Sequence, residues 1–433
     1  MISILKNDKI LFLNLNFGNK ASVKDTMAGL GEIYANPEFK MPITDFIISA
    51  TIFYNKGLNI TVIDNELDKI NHNELINIVN KYDKVFLRTS LPTLKSDLAF
   101  VDKTKTEVCL FAPFLDKISL KNYQFISGES EFKFLNMINK AEYDNNMNLL
   151  PSPKWDLVDY KKYSFITCLT SKGCPYSCGY CPYPVYQGTR WRSKNVDLVI
   201  KELKKDYFDY GIDYLRFRDP ELTMDRGRIM ELCDKIIANR IKIKWHGETR
   251  LDLLDKELLN KMKKAGCVEI SFGVETVNDE TRKIINRKKI EDKKIDEILN
   301  HCKELGIKTF GFFIIGLPGE NKKTTLDLIG YSLKINSYLN EFTLATPYPG
   351  TALEGWAQER NLIIKDFNNY TGRKPAMTNG LMSVGQLRIL CKYANLIHQR
   401  KLRKQYKINF KRWIYYRFKD LEYYYLKLKV KVI

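Results

Sequence analysis

Along the chain, short runs of β-branched and aromatic residues alternate with longer stretches in which apolar positions recur every three or four residues. In the first 140 residues the runs KILFLNLNF (9–17), LNITVID (58–64), KVFLRTS (84–90), EVCLFAP (107–113) and YQFISGE (123–129) read as strands. Helical periodicity falls between them, near 41–56, 71–81, 93–104 and 130–140. Strands and helices that alternate in this way pack as a parallel sheet covered on both faces, so a doubly wound, Rossmann-like α/β domain is expected over 1–142. Ligands of such sheets sit beyond the carboxyl ends of the strands. Those ends carry Asn14, Asn16, Asp64, Arg88, Thr89, Ser90, Ala112, Pro113, Ser127, Gly128 and Glu129, although turns also collect polar residues for local reasons.

Residues 143–164 include the proline-interrupted PSPKWDLVDYKKYS (151–164) and read as a linker. A second α/β pattern follows over 165–350, with strands at FITCLTS (165–171), DYLRFRD (213–219), KIKWHGE (242–248), CVEISFG (267–273), KTFGFFIIG (308–316) and NEFTLAT (340–346). Six such units separated by helices predict a partial (β/α)6, TIM-like barrel, whose active site lies at the carboxyl ends of its strands. The rest, 351–433, reads as a C-terminal, mostly helical or mixed extension with a loop at PYPGTALEG and a helix near 383–404. It ends in KQYKINFKRWIYYRFKDLEYYYLKLKVKVI, where aromatics interleave with Lys and Arg. Such a tail suits packing on the barrel with its lysines in water, a grip on an anionic substrate, or peripheral membrane contact.

Composition changes this picture little. The 433 residues carry 70 Lys plus Arg against 51 Asp plus Glu, a formal charge of +19, with no nucleic-acid fold signature beside it. Nucleic acid is therefore not an expected partner. No apolar run is long enough to span a bilayer, and Asp8 interrupts the N-terminal apolar runs where a signal peptide would be uniform, so the chain is expected to be cytoplasmic.

The cysteines change it more. Of nine, Cys109, Cys168, Cys233, Cys267, Cys302 and Cys391 are scattered through apolar or helical patterns and read as reduced packing residues. Cys174, Cys178 and Cys181 are crowded into GCPYSCGYCPYP, directly after the first barrel strand. The spacing C-x3-C-x2-C can hold three irons of a [4Fe–4S] cube and leave the fourth open to a substrate. Structural zinc is the rival, but it usually wants a fourth Cys or His nearby, and only Cys168, in the preceding strand, is within reach.

This loop resembles that of the radical S-adenosylmethionine superfamily. The resemblance implies that Cys174, Cys178 and Cys181 ligate the cluster, that Tyr180 lies near adenine, and that the open iron chelates the methionine moiety of S-adenosylmethionine. Further contacts to that cofactor are implied at Arg218, Asp219, Pro220 and Glu221 in RFRDPE, at Glu248 and Arg250 in WHGETR, at Gly273 and Glu275 in EISFGVET, and at Gly316, Leu317 and Pro318 in FFIIGLPGE. Arg250 is read as a fork for the methionine carboxylate, against a salt bridge to Glu248 or Glu275. His246 is read as a fixer of its strand end. Gly316 is read as small so that backbone can approach a ligand. No catalytic residue is singled out.

The five-strand domain before the barrel, together with RTSLPT (88–93), ISGESE (126–131), FRDPELTMDR (217–226), GETRLDLL (247–254) and PYPGT (347–351), is similar to the class with an N-terminal cobalamin-binding domain. The cobalamin motif D-x-H-x-x-G is absent, and His72 is the only histidine of that domain. The resemblance then implies cobalamin without a histidine ligand, held near Arg88, Thr89, Ser90, Ser127, Gly128 and Glu129. The expected activity is methyl transfer to an unactivated carbon of a small molecule, natural-product intermediate or peptide, with a reducing partner such as flavodoxin or ferredoxin. Alternatives are ring closure or rearrangement with both cofactors, an epimerase or dehydrogenase using a thiol such as Cys302 or Cys391, and a non-enzymatic iron–sulfur redox module.

Overall fold

In the computed structural model, residues 3–34, 36–142, 144–364, 366–405 and 422–431 are described. The N-terminal strands are β1 (Ile10–Asn14), β2 (Ala21–Val23), β3 (Glu32–Tyr34), β4 (Ile60–Asp64), β5 (Lys84–Arg88), β6 (Val108–Phe111) and β7 (Gln124–Ile126). Five of them form a parallel sheet in the order β4-β1-β5-β6-β7. Counted along the chain this is the winding 2-1-3-4-5, whose direction switches between β1 and β5. Every residue of β1 is buried, which explains why its sequence is an apolar run without alternation. Phe12 at its centre meets Phe53, Phe86 and Phe134 edge-on or tilted at 5.0–5.6 Å, so the helices α1 (Thr44–Asn55) and α5 (Ser130–Asn139) dock through aromatic rings. Three shorter helices, α2 (Asn65–Asp68), α3 (His72–Val79) and α4 (Leu94–Val101), complete the layer pattern.

Two features depart from the sequence pattern. The stretch after β1 forms an antiparallel hairpin of β2 and β3, too short and polar to stand out as strands. The 151–164 segment, expected as a linker, is packed instead: Trp155 is fully buried, the Tyr163 hydroxyl donates to Asp64 at 2.5 Å, and the Lys154 amide donates to Thr51 Oγ1 at 3.0 Å.

The chain divides into two compact units that do not follow chain order. One comprises Met1–Tyr176, Cys181–Pro220 and Ala238–Ile243; the other comprises Ser177–Tyr180, Glu221–Ile237 and Lys244–Ile433. The first unit therefore also holds β8 (Ile166–Cys168), β9 (Ser171–Lys172), β10 (Arg192–Ser193), β11 (Tyr214–Phe217), α6 (Tyr183–Gln187) and α7 (Val196–Lys204), with β8 and β11 parallel. The second holds β12 (Lys244–Glu248), β13 (Cys267–Glu275), β14 (Lys308–Ile315) and β15 (Leu339–Leu344), parallel neighbours in chain order. All six strands expected from the second α/β pattern are present, parallel to their neighbours within each unit.

Helices α8 (Arg226–Ala238), α9 (Lys256–Lys264), α10 (Asp279–Ile284), α11 (Asp292–Glu304), α12 (Lys322–Lys334), α13 (Ala352–Glu359) and α14 (Val384–Gln405) follow. Three of these helices start at side-chain caps: Asp255, Asn278 and Asn321 accept from backbone N–H groups of α9, α10 and α12. Among the described residues no helix is long and apolar enough to cross a membrane. Most of the aromatic, basic tail falls in 406–421, outside the described residues.

Candidate active site

The cysteine loop leaves β9 through Gly173, whose φ of +80° only glycine adopts without strain. A Cβ there would stand 2.1 Å from the Arg190 carbonyl oxygen. Cys174 is buried, its amide donates to the Gly188 carbonyl at 3.1 Å, and the Gly173 amide donates to Gln187 Oε1 at 3.3 Å, which pins the loop start. Cys178 and Cys181 are half-buried.

In the second unit the segment Ser177–Tyr180 is held from two sides. The Gly179 amide donates to Ile285 O at 2.7 Å, the Leu353 amide donates to Gly179 O at 2.9 Å, and Asn286 Nδ2 donates to Ser177 Oγ at 2.6 Å. Arg287 Nη1 approaches Cys178 Sγ at 3.7 Å. Among the described residues no three His, Cys, Asp or Glu side chains converge as the ligands of a single ion. Three thiolates that each bind a different iron of a cube do not need such convergence, so the donor set of Cys174, Cys178 and Cys181 fits a cluster.

At the end of β13 the ladder to β14 shifts register between Gly273 and Glu275, and Glu275 takes a φ of +69°. Its carboxylate folds back over Gly273, where a Cβ would lie 1.9 Å from Glu275 Oε1. Any side chain at the glycine of GVET would displace the acid two residues on. Burial pushes the Glu275 carboxyl up, against the pull of the Arg287 guanidinium and a hydrogen bond from Tyr180. Arg287 Nη2 also donates to the Gly273 carbonyl at 2.6 Å. Tyr180 packs beside Leu317, Leu353 and Ile285. Glu275, Gly273 and Tyr180, which the sequence singles out, are thus brought together.

At the end of β14, Gly316 adopts a φ of +91° and a Cβ there would meet Leu387 at 2.9 Å. Backbone conformation and packing each favour a glycine here. Glu320 closes this turn. Its Oε2 accepts from the amides of Gly316 and Leu317 at 2.9 and 3.2 Å, and its Oε1 accepts from Thr276 Oγ1 at 2.9 Å. Burial pushes its carboxyl up to about 7. Leu317 and Pro318 are buried in the turn, and the Leu317 carbonyl accepts from Asn379 at 3.1 Å.

The arginine of GETR makes a pair not weighed in the sequence. Arg250 grips Asp252 as a two-pronged fork, at 2.9 and 2.8 Å, because the 3-10 turn Leu251–Leu253 brings that acid under the guanidinium. Glu221 Oε2 accepts from the Arg250 amide at 2.8 Å while Oε1 accepts from the Thr249 hydroxyl, and burial pushes the Glu221 carboxyl up to about 7. Glu248 is half-buried. His246 shares a hydrogen bond with Ser271 at 2.7 Å, consistent with fixing the strand end.

In the first unit, Arg218 Nη2 donates to the Asp25 carbonyl at 2.9 Å and its Nε faces the Asp25 carboxylate. Asp219 accepts from the Thr170 amide at 2.7 Å and from the hydroxyls of Thr170 and Ser171. Pro220 is half-buried.

The six residues expected around cobalamin separate into two groups. Arg88, Thr89 and Ser90 are fully buried and satisfied within the fold, so they offer no surface to a ligand. Arg88 pairs with Asp45, Thr89 donates to Asp97 at 2.7 Å, and Ser90 shares a hydrogen bond with Thr93 at 2.8 Å. Ser127, Gly128 and Glu129 follow β7. Ser127 donates to the Pro113 carbonyl at 2.9 Å, and Glu129 pairs with Arg192 at 3.0 Å. Gly128 has a φ of +82° with no atom within 4 Å of an added Cβ.

Gly128 and Glu129 line a narrow cleft of about 40 Å³ whose other walls include Asp25, Asp45, Lys172 and Arg218. A second cleft of about 290 Å³ opens at the switch point between β1 and β5, lined by Leu15, Asn16, Phe17, Gly18, His72, Ser96 and Asp97.

Residues 168–331 match the model of the Radical SAM superfamily. This segment is a radical SAM domain. It includes the three cysteines and the turns after β11, β12, β13 and β14 described above. The chain is 31% identical over 238 residues to an uncharacterized methyltransferase of Pyrococcus horikoshii, covering 54% of this chain and 52% of that protein. It is 28% identical over 251 residues to an anaerobic magnesium-protoporphyrin IX monomethyl ester cyclase of Cereibacter sphaeroides, covering 54% and 40%. It spans about half the length of these curated relatives. Among solved structures it shares a fold with the cobalamin-dependent S-adenosylmethionine radical enzyme OxsB, at a TM-score of 0.69 and 15% identity, over 98% of this chain and 72% of that one.

Within the radical SAM domain, sequence reasoning missed Asn286 and Arg287, which lie in the polar run NRKKIEDKK and look like part of a solvated face. It quoted Glu320 in LPGE without giving it a role. The only available signal was the acid four residues after Gly316.

Proposed function

We propose that the protein is a cobalamin-dependent radical S-adenosylmethionine methyltransferase acting on an unactivated carbon of a small molecule or peptide. The observation that carries this reading is the joint presence of a 2-1-3-4-5 parallel domain and a radical SAM domain whose C-x3-C-x2-C loop follows the first barrel strand. When bound, the cluster would supply the electron that cleaves S-adenosylmethionine and cobalamin would carry the methyl group.

The chain's own residues then have positioning tasks. Cys174, Cys178 and Cys181 hold the cluster. Tyr180, Gly273, Glu275 and the turn Gly316–Pro318 flank S-adenosylmethionine, with Glu320 fixing that turn. Glu221 sets the backbone at Arg250, which with Glu248 belongs to the same wall. Arg218, Asp219 and Pro220 end β11 and shape the neighbouring strand end. Because Arg88, Thr89 and Ser90 are consumed internally, cobalamin contacts are assigned to the open backbone at Gly128, with Ser127 and Glu129, and to the cleft beside Gly18. Both clefts lie at the carboxyl ends of the sheet, where this fold binds ligands, and the unfilled space at Gly128 leaves room for backbone contact.

The electron donor is assigned to the flavodoxin or ferredoxin class. The helix over 422–431 leaves Tyr424, Tyr425 and Leu428 exposed beside Lys427 and Lys429, a face suited to anionic lipid headgroups. Ring closure is the second reading, favoured by the cyclase relative.

The test is anaerobic incubation of the reconstituted protein with S-adenosylmethionine and a reductant. Formation of 5′-deoxyadenosine, lost in a Cys178→Ala variant, is expected. No 5′-deoxyadenosine from protein shown to carry the cluster would refute the radical reading.

A further inference from the structure

One half-buried guanidinium in the second unit reaches a cysteine. Arg287 follows α10, in the turn where Asn286 takes a φ of +50°. Three consecutive residues of this turn grip the cysteine loop: the Ile285 carbonyl takes the Gly179 amide, Asn286 holds Ser177, and Arg287 reaches Cys178. The first two contacts fix backbone and hydroxyl positions. Only the third touches a sulfur.

The guanidinium is itself immobilised. Nη2 is tied to the Gly273 carbonyl at 2.6 Å and leaves Nη1 pointing at Cys178 Sγ at 3.7 Å. Glu275 and Tyr180 act on the same guanidinium electrostatically. A planar fork with several donors can satisfy a carbonyl and a sulfur at once, which an ammonium on a flexible stem does less well. Donors and positive charge beside cluster sulfurs stabilise the reduced, more negative form and raise its reduction potential.

We propose that Arg287 is a positioning residue for the iron–sulfur cluster, donating to the Cys178 sulfur to set the cluster's potential while coupling it through Gly273 and Glu275 to the S-adenosylmethionine side of the site. This rests on the cluster assignment to Cys174, Cys178 and Cys181. It adds a residue outside the cysteine motif and gives the polar NRKK stretch a task.

The experiment is an EPR-monitored redox titration of anaerobically reconstituted holoenzyme, with iron content measured alongside, for the wild type and for R287A, R287K and N286A. The midpoint potential is expected to shift to lower values in R287A and by a smaller amount in R287K. It should be unchanged in N286A, which loosens the same loop without touching a sulfur. If R287A does not retain the cluster, R287K decides: a lowered potential supports the proposal and a wild-type potential overturns it. A wild-type potential in cluster-loaded R287A, or a shift in N286A as large as in R287A, would also overturn it. A wild type with no four-iron signal would instead refute the cluster assignment and the proposal together.

Discussion

Two charge clusters, one buried and one half-buried, stand at the carboxyl ends of parallel strands, and they are built for different ends. Under β5, Lys24 donates to the Arg88 carbonyl at 2.8 Å and pairs with Asp97, which also accepts from Thr89 and Thr93, while Arg88 pairs with Asp45. Every charge there is answered inside the fold. Beyond β13, Glu275 and Arg287 act on each other, Arg287 Nη2 donates to the Gly273 carbonyl, and Arg287 Nη1 goes to a cysteine. The lesson is that a charged residue at a strand end is no sufficient mark of a ligand contact. What separates the two clusters is whether the chain of partners closes.

The largest effects expected from this contrast are chemical. Replacing Cys174, Cys178 or Cys181 by alanine should abolish 5′-deoxyadenosine formation and cluster iron, measured by chromatography and iron analysis, with little change in thermal unfolding of the apoprotein. The closed cluster should behave in the opposite way. Asp97→Ala strands the fully buried Lys24 and should cost about 3–5 kcal/mol in denaturant unfolding, as expected when one partner of a buried pair is removed. A D97A protein of unchanged stability would break the comparison.

A pH effect of about 3 kcal/mol is expected from Glu320, whose carboxyl is raised to about 7 in the folded protein from an ordinary value of 4.5. The native state then holds a proton that the unfolded chain has released. Its stabilisation is full below about pH 4.5 and is lost as the pH rises through about 7. Thermal melts across that window should decline with pH, and Glu320→Gln should flatten the decline.

A smaller effect sharpens the open cluster. Gly273→Ala would push Glu275 from its place, and affinity for S-adenosylmethionine should fall at least about tenfold, or roughly 1.4 kcal/mol, by equilibrium binding. The smallest is surface binding. Co-sedimentation with anionic vesicles should exceed that with zwitterionic ones, fade with added salt, and drop when Tyr425 and Leu428 are changed to serine.

Much of this architecture is legible in the sequence. The runs around β1, β5 and β14 are dense in Ile, Val, Leu and Phe because those strands are buried, and the turns that follow them carry Gly and Pro. The cysteine spacing and the glycines of GVET and GLPGE point to the site for the same reason: each has a steric or ligand constraint visible in its own few residues. The rest depends on partners distant in sequence. Arg88 looks like a ligand contact until Asp45, 43 residues earlier, is seen beside it. Arg250 looks like a free fork until the turn brings in Asp252. Arg287 is hidden among lysines, since only the fold puts it against a cysteine 109 residues away. The hairpin of β2 and β3 is hidden because three-residue strands have no period to read.

The central claim joins two cofactors in one chain, and it is tested most directly by supplying iron, sulfide and cobalamin anaerobically and washing the protein. Metal analysis and the optical spectrum are then read together. Roughly four irons and one cobalamin retained per chain are predicted, with cobalamin lost when Gly128 is changed to a bulky residue and the iron unaffected. Four irons with no retained cobalamin would contradict the two-cofactor account and leave a radical SAM domain beside a domain that serves another purpose.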